Sequence, residues 1–369
     1  MKKKALSLPM KKKALSLAVA AALAAPTVAL ADATLYGQAH VTMDWFNIKG
    51  DETAYRGWTL NRGESGKGNS RANRLGVKGS EDLSRGLKAI YQIEFGVPLA
   101  NEGDSDIVNG ERQHLKMRNT YVGLKGAFGT FLAGRHDTPF KISTSKLELF
   151  NDTMADYEGT LGFDDHRADN TILYVTPSIQ GFQFAAAIIP GSSSTLSGDR
   201  NSDSKRLAEG YSLAATYANG PWYFSAAHEV LGKHFAGSLS ADPSDFKKWR
   251  VGLGLRDWAG FHLSALYEHQ ESIEFRRLGF YTDQNNDADL WQAQIGYAFG
   301  NNMVKAMYGQ KDHEINVNSK TTDVKSWAVG FDHNLSQRTK AYALYTNVDG
   351  AEFKESDWEG FSLGMIHSF

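Results

Sequence analysis

From Thr34 to Phe46 the chain changes character at every step. Leu35, Gly37, Ala39, Val41, Met43 and Trp45 share one face, and Tyr36, Gln38, His40, Thr42 and Asp44 the other. Period two over this length describes a long strand with one apolar and one polar side. The pattern recurs along the chain: Leu75 and Val77 alternate with Arg74 and Lys78, and Leu87, Ala89, Tyr91, Ile93 and Phe95 with Lys88, Gln92 and Glu94. Ile90 breaks that second polar face. A helix needs about eighteen consecutive apolar residues to cross a bilayer, and the chain beyond its first residues has no such run. Crossing as strands requires only every second residue to be apolar.

Alternating segments are predicted near 34–46, 71–79, 87–97, 116–126, 129–136, 170–177, 180–190, 209–219, 221–230, 248–258, 260–270, 288–299, 302–311, 323–333, 338–348 and 357–369, sixteen in all. Longer polar connections near 98–115, 137–169, 191–208, 231–247, 271–287, 312–322 and 349–356 alternate with tight turns such as Asn219-Gly220-Pro221 and Trp258 to Gly260. Sorting into long and short sets is the asymmetry of an outer-membrane barrel, and an even strand number brings both ends to the periplasmic side. A secreted sandwich also alternates, but its connections need not sort this way and its edges need protection. Here the last segment ends on Phe369 and is able to pair with the first. The expected fold is all-β, a 16-stranded antiparallel transmembrane β-barrel. Trp45, Phe46, Tyr121, Phe128, Trp222, Trp258, Trp291, Trp327 and Trp358 are expected in girdles at the two interfaces.

Between Asp137 and Asp169 the alternation stops and acids collect: Glu148, Asp152, Asp156, Glu158, Asp164, Asp165 and Asp169. An irregular connection of this length is uncommon and usually functional. It is expected to be the third outer connection, folded back into the lumen, with Glu148, Asp152, Asp156 and Glu158 as constriction acids. Parity turns Arg74, Lys78 and Lys88 inward. It also groups Arg135 with Phe131 and Ala133, expected inside, and Leu132 with Thr130 and Gly134, expected on the lipid face. A basic wall of Arg74, Lys78, Lys88 and Arg135 opposite acids would set a transverse field at the narrowest point. The plainer alternative is an ordinary exposed acidic loop.

Lys2 to Lys4 and Lys11 to Lys13, the apolar run Ala14 to Val28 and the Ala29-Leu30-Ala31 site read as a secretory signal peptide over 1–31, leaving 32–369 as the mature domain. Met-Lys-Lys-Lys-Ala-Leu-Ser-Leu occurs at Met1 and again at Met10, so translation starting at Met10 is an alternative. Removing 1–31 takes six lysines and no acids, moving the formal charge from −2 to −8, which disfavours a nucleic-acid partner. With no cysteine, no disulfide holds the fold. The 11 histidines form no metal-site spacing. Asp283 to Asp289 has oxygen ligands at calcium-loop spacing but lacks the turn glycine and has Gln294 where the bidentate glutamate belongs. A nucleophile elbow is absent. No metal, cofactor or catalysis is expected.

Several stretches carry a family resemblance: Leu35-Tyr36-Gly37-Gln38, Asn73-Arg74-Leu75-Gly76-Val77-Lys78-Gly79-Ser80-Glu81-Asp82-Leu83, Gly86-Leu87-Lys88-Ala89-Ile90-Tyr91-Gln92-Ile93-Glu94, Tyr121 to Gly129, Gly134-Arg135 and the terminal Phe369. The chain resembles the Gram-negative general porins of the Neisseria and Burkholderia type, departing from them after Gly96. The resemblance implies a homotrimeric channel for passive diffusion of ions and small hydrophilic solutes, surrounded by outer-membrane lipid and lipopolysaccharide. It also implies a third loop that constricts the pore, the basic strip at Arg74, Lys78, Arg135 and Lys88, and Phe369 as the signal read by the barrel-assembly machinery. A substrate-preferring channel for anions, sugars or an organic acid, and a barrel for surface adhesion or hydrolysis, remain alternatives.

Overall fold

The computed structural model describes residues 32–49, 54–61, 72–97, 99, 106–108, 111–113, 115–191, 206–232, 245–271, 287–315, 320–350 and 357–369. The expected signal segment and Asp283 to Asn286 of the calcium-like stretch lie outside them. Sixteen antiparallel strands run in one sheet: β1 (Thr34–Ile48), β2 (Arg74–Ser84), β3 (Leu87–Gly96), β4 (Thr120–Gly126), β5 (Gly129–Asp137), β6 (Arg167–Val175), β7 (Phe182–Ile189), β8 (Gly210–Asn219), β9 (Trp222–Leu231), β10 (Phe246–Trp258), β11 (Phe261–Glu271), β12 (Asp287–Phe299), β13 (Asn302–Ile315), β14 (Lys320–Asn334), β15 (Thr339–Asp349) and β16 (Trp358–Ser368). Consecutive strands pair, and β16 pairs with β1 from Gln38 opposite Ser368 to Ile48 opposite Trp358. Gly37 and Phe369 add a reciprocal pair of backbone hydrogen bonds at 3.0 and 3.1 Å. The sheet is closed, so the two end strands present no edge.

Each predicted segment is a strand. Boundaries differ mainly at the long connections, where the predicted 302–311 and 323–333 extend to Asn302–Ile315 and Lys320–Asn334, because the paired ladder continues past the last alternating apolar residue. The first long connection carries an unexpected short strand, Tyr55–Leu60, paired with Met43 to Ile48.

The alternation sorts into two faces. On β10, Trp249, Val251 and Leu253 are 38%, 42% and 54% exposed, whereas Lys248 and Arg250 are buried. The outer face carries aromatic pairs in two tiers, such as Trp249–Tyr267, Trp291–Tyr308 and Trp327–Tyr345 toward the long connections and Phe182–Tyr217 and Phe261–Tyr297 toward the tight turns. Three expected girdle residues belong elsewhere. Phe46 and Trp358 are buried on the inner face with ring centroids 5.8 Å apart, and the Tyr121 hydroxyl donates inward to Gln92. Their parity, not their aromaticity, decides the side.

One face assignment is reversed. Leu132 is 4% exposed and packs inward with Leu173 and Ala187, while Phe131 is 45% exposed. This part of the inner wall is apolar, so the rule that apolar residues face lipid misplaces it.

Candidate functional site

The connection between β5 and β6 holds two short helices, α1 (Pro139–Thr144) and α2 (Tyr157–Thr160). Thr138 caps α1 by accepting from the Lys141 amide, and Pro139 supplies a helical φ where no N–H is needed. Phe140, fully buried, drops onto Ala214 and Ala227. The Phe140 amide donates to Ser212 Oγ at 3.0 Å, and the Tyr223 hydroxyl donates to the Ser143 carbonyl at 2.7 Å.

Beyond α1 the chain travels along the wall, and inward-facing glycines receive its apolar side chains. A Cβ placed on Gly252 would lie 2.7 Å from Leu147 Cδ1, on Gly296 3.1 Å from Leu149, on Gly330 3.1 Å from Phe150, on Gly360 2.5 Å from Met154 Sδ, and on Gly309 2.5 Å from Leu161. These glycines lie on β10, β12, β14, β16 and β13, on the face opposite to Val251 and Leu253. The segment therefore lies against the inside of the wall, and its side chains join one buried cluster with Phe46, Leu290, Tyr342 and Trp358. Ser264 Oγ and Lys305 Nζ donate to the Leu147 and Leu149 carbonyls, both at 2.7 Å.

The return leg is held by charge. Lys248 Nζ reaches Asp164 Oδ2 at 2.8 Å and Glu229 at 3.1 Å, and lies 4.5 Å from the Phe140 ring centroid. Arg250 pairs with Glu268 and with Asp165, the latter at 2.9 Å, and donates to Thr144 Oγ1 at 2.8 Å. The Asp164 amide donates to Glu268, and Gln270 to the Gly162 carbonyl. Although burial opposes it, His166 and Lys248 hold the Asp164 carboxyl below its ordinary range.

The predicted acids divide into roles. Asp156 caps α2 and is 5% exposed, accepting from the Asp152 amide at 2.8 Å and the Glu158 amide at 2.9 Å. Burial, then the charges of Glu158 and Asp152, push it up to about 7. Glu148 accepts from the Tyr157 amide, and burial with the neighbouring Asp156 raises it well above the carboxylate range. Asp152 and Glu158 are partly exposed.

Of the predicted basic residues, Arg74 is brought to the loop, 3.8 Å from Asp152 and hydrogen-bonded to Gln38. Lys78 stands over the Tyr36 ring at 4.9 Å. Lys88 pairs with Asp82 beside the tight β2–β3 turn. Arg135, partly buried, is tied to Asp169 and the Met117 carbonyl at the root of the connection. Arg118, bonded to Glu94 at 2.8 Å, and Arg167, paired with Asp137 at 2.9 Å, stand on the same side of the barrel and were not singled out from the sequence. Neither lies in a clean alternating run: Arg118 precedes β4, and Arg167 starts β6 just before a register shift. A polar cavity of about 350 Å³, lined by Arg74, Glu148, Asp152, Arg338 and Lys340 among others, lies between the loop and the β14–β15 turn.

A closed barrel with an apolar exterior and a charged interior is a transmembrane channel. The chain belongs to the Gram-negative porin family, whose model matches residues 17–352. It is similar to the major outer membrane protein P.IA of Neisseria meningitidis serogroup C, 25% identical over 94% of this chain and 97% of that one, and to P.IB of Neisseria sicca, 26% identical over 88% and 90%. Among solved structures it resembles the anion-selective porin of Comamonas acidovorans, with TM-score 0.67 and 22% identity over 91% and 99% of the two chains. Salmonella typhi OmpF gives 0.68 at 16% identity over 91% and 97%. The protein is an outer-membrane diffusion channel.

Proposed function

We propose that residues 138–166 constrict this channel, and that ions and small hydrophilic solutes pass between the loop and the opposing wall of β1–β6. The observation that carries the reading is the loop's seat on glycines from β10 to β16, which brings Asp152 to Arg74 on β2. On that wall Arg74 and Lys78 act with Arg118 and Arg167, and Asp152 and Glu158 are the acids facing them; Asp156 and Glu148 shape the loop. Lys88 and Arg135 contribute to the field from the two ends of the wall rather than at the eyelet. The channel catalyses nothing and needs no cofactor or metal.

Residues 1–31 are removed on export, leaving 32–369 surrounded by lipid and lipopolysaccharide, and Phe369 is read by the assembly machinery. Vibrio cholerae OmpT has been solved in a trimer form, and we infer a homotrimer here. The test is planar-bilayer conductance and solute exclusion of the purified protein, against a form in which Asn151 to Gly159 is replaced by a short glycine-serine link. Unchanged exclusion in the shortened form would sink the constriction.

A second reading, preference for anions, is favoured by an asymmetry of exposure. On the wall itself Lys78 and Lys116 are exposed, whereas Glu94 is 4% exposed and held by Arg118. The Comamonas acidovorans porin is itself named anion-selective. A reversal potential of cation sign in a salt gradient contradicts it.

A further inference from the structure

We propose that Arg250 is a positioning residue for the pore, a pin that ties the outgoing and returning legs of the loop to one point of the wall and thereby fixes the open cross-section. This rests on the loop being the constriction. Arg250 is fully buried in the middle of β10. Its guanidinium touches five loop residues. Nη1 donates to Thr144 Oγ1 on the outgoing leg at 2.8 Å, approaches the Tyr157 hydroxyl of α2 at 3.4 Å, and pairs with Asp165 on the return leg at 2.9 Å. The cation also lies 4.5 Å from the Phe140 ring centroid and 5.4 Å from Phe163. Glu268 on β11 takes the opposite side of the fork.

Between Leu147 and Leu161 the loop is seated mainly by apolar contact, with hydrogen bonds to the backbone at Leu147 and Leu149, and apolar contacts are non-directional. Leu147, Leu149, Phe150, Met154 and Leu161 pack into glycine recesses, and such contacts by themselves do not forbid small slides along the wall. A planar guanidinium with fixed donor directions does not permit them. Tyr157 reinforces the point, since its hydroxyl donates to Asp165 at 2.8 Å and so joins α2 to the return leg at the pin. Lys248 stands on the same strand but holds only the return leg by hydrogen bond, through Asp164 and His166. The Thr138 amide joins the His166 carbonyl at the root of the loop, and above that root Arg250 ties both legs to one point of the wall.

Removing the cation alone leaves Asp165 and Glu268 buried without their partner, which threatens folding as well as position. The test therefore uses the full chain, refolded and reconstituted, in two forms. The triple variant Arg250→Met, Asp165→Asn, Glu268→Gln removes the guanidinium together with the carboxylates that face it. Arg250→Lys keeps a charge but loses the fork. Liposome-swelling rates for sugars of increasing size and single-channel current noise are read beside heat-modifiable gel mobility, which reports the barrel.

A pin predicts normal mobility in the triple variant, a several-fold rise in swelling for the largest sugars, and added open-channel noise, with Arg250→Lys intermediate. A merely structural role lowers the unfolding temperature and leaves the size limit and noise alone. A folded triple variant with the original size limit and noise overturns the proposal. Should the triple variant not fold, unchanged values in Arg250→Lys do so instead. The form shortened between Asn151 and Gly159 separates the two readings. If shortening raises the size limit while the pin variants do not, only the pin fails; if shortening does nothing, the constriction fails.

Discussion

The buried cap of α2 predicts a loop that is held less firmly in alkali than in acid. Asp156 has an ordinary value of 3.8 and is pushed up to about 7, by burial first and then by Glu158 and Asp152. A rise of about three pH units, at about 1.36 kcal/mol each, makes the ionised form of this fold less stable than the protonated form by up to about 4 kcal/mol. Because the folded value lies above the unfolded one, the contribution is fully present below about 4 and is lost as pH rises toward 7. Glu148 is raised beside it, by burial and by Asp156, so the two titrate as a pair. The assay is amide hydrogen exchange, corrected for intrinsic rates, at Asp152, Glu158 and Thr160 in reconstituted protein. The first two amides donate to the Asp156 carboxylate, and the Thr160 amide closes the first turn of α2. Protection should fall between pH 4 and pH 8 in the native chain, fall less in Asp156→Asn, and be flat once Glu148→Gln is added. Protection that rises with pH, or an identical slope in Asp156→Asn, refutes the reasoning.

Three further outcomes are expected. Leu147 is 2% exposed in its recess against Gly252 and Gly254, so Leu147→Ala should destabilise the loop locally by about 2–4 kcal/mol, seen as faster exchange at the Leu149 amide with little change in global unfolding. Arg74→Gln removes the cation nearest Asp152 and should shift the zero-current potential in a salt gradient toward cations; no shift removes Arg74 from the selective wall. Deleting Phe369 breaks the reciprocal hydrogen bonds with Gly37 and any assembly signal, and should lower the amount of barrel in the outer membrane far more than the yield of detergent refolding. Equal losses in both would assign Phe369 a role in stability alone.

The barrel was legible because alternation is its own code: Val41 beside Thr42, or Leu75 beside Arg74, states a face without knowledge of any partner. The loop was legible as an interruption and no further. Its seat was not, because the wall's half of each contact is a glycine, and a glycine at position 309 or 360 announces nothing about Leu161 or Met154. Arg250 and Lys248 were equally silent, since in an alternating strand they read as ordinary polar inner residues. Leu132 was misplaced for the converse reason. It is an apolar residue on the inner wall beside Leu173 and Ala187, where composition and side disagree. Arg118 and Arg167 were passed over because irregular positions have no parity to read.

The seating of the loop also orders events in time. Its contacts at Leu147 and Leu149 reach residues 117 to 156 positions further along the chain, and the recess for Met154 lies on the last strand, at Gly360. Contacts this distant in sequence form late. A barrel whose final strands have not yet docked therefore has no place to lodge its loop, and closing the sheet completes the mould into which the loop sets. If the loop constricts the channel as proposed, closing the barrel and narrowing it are one event rather than two.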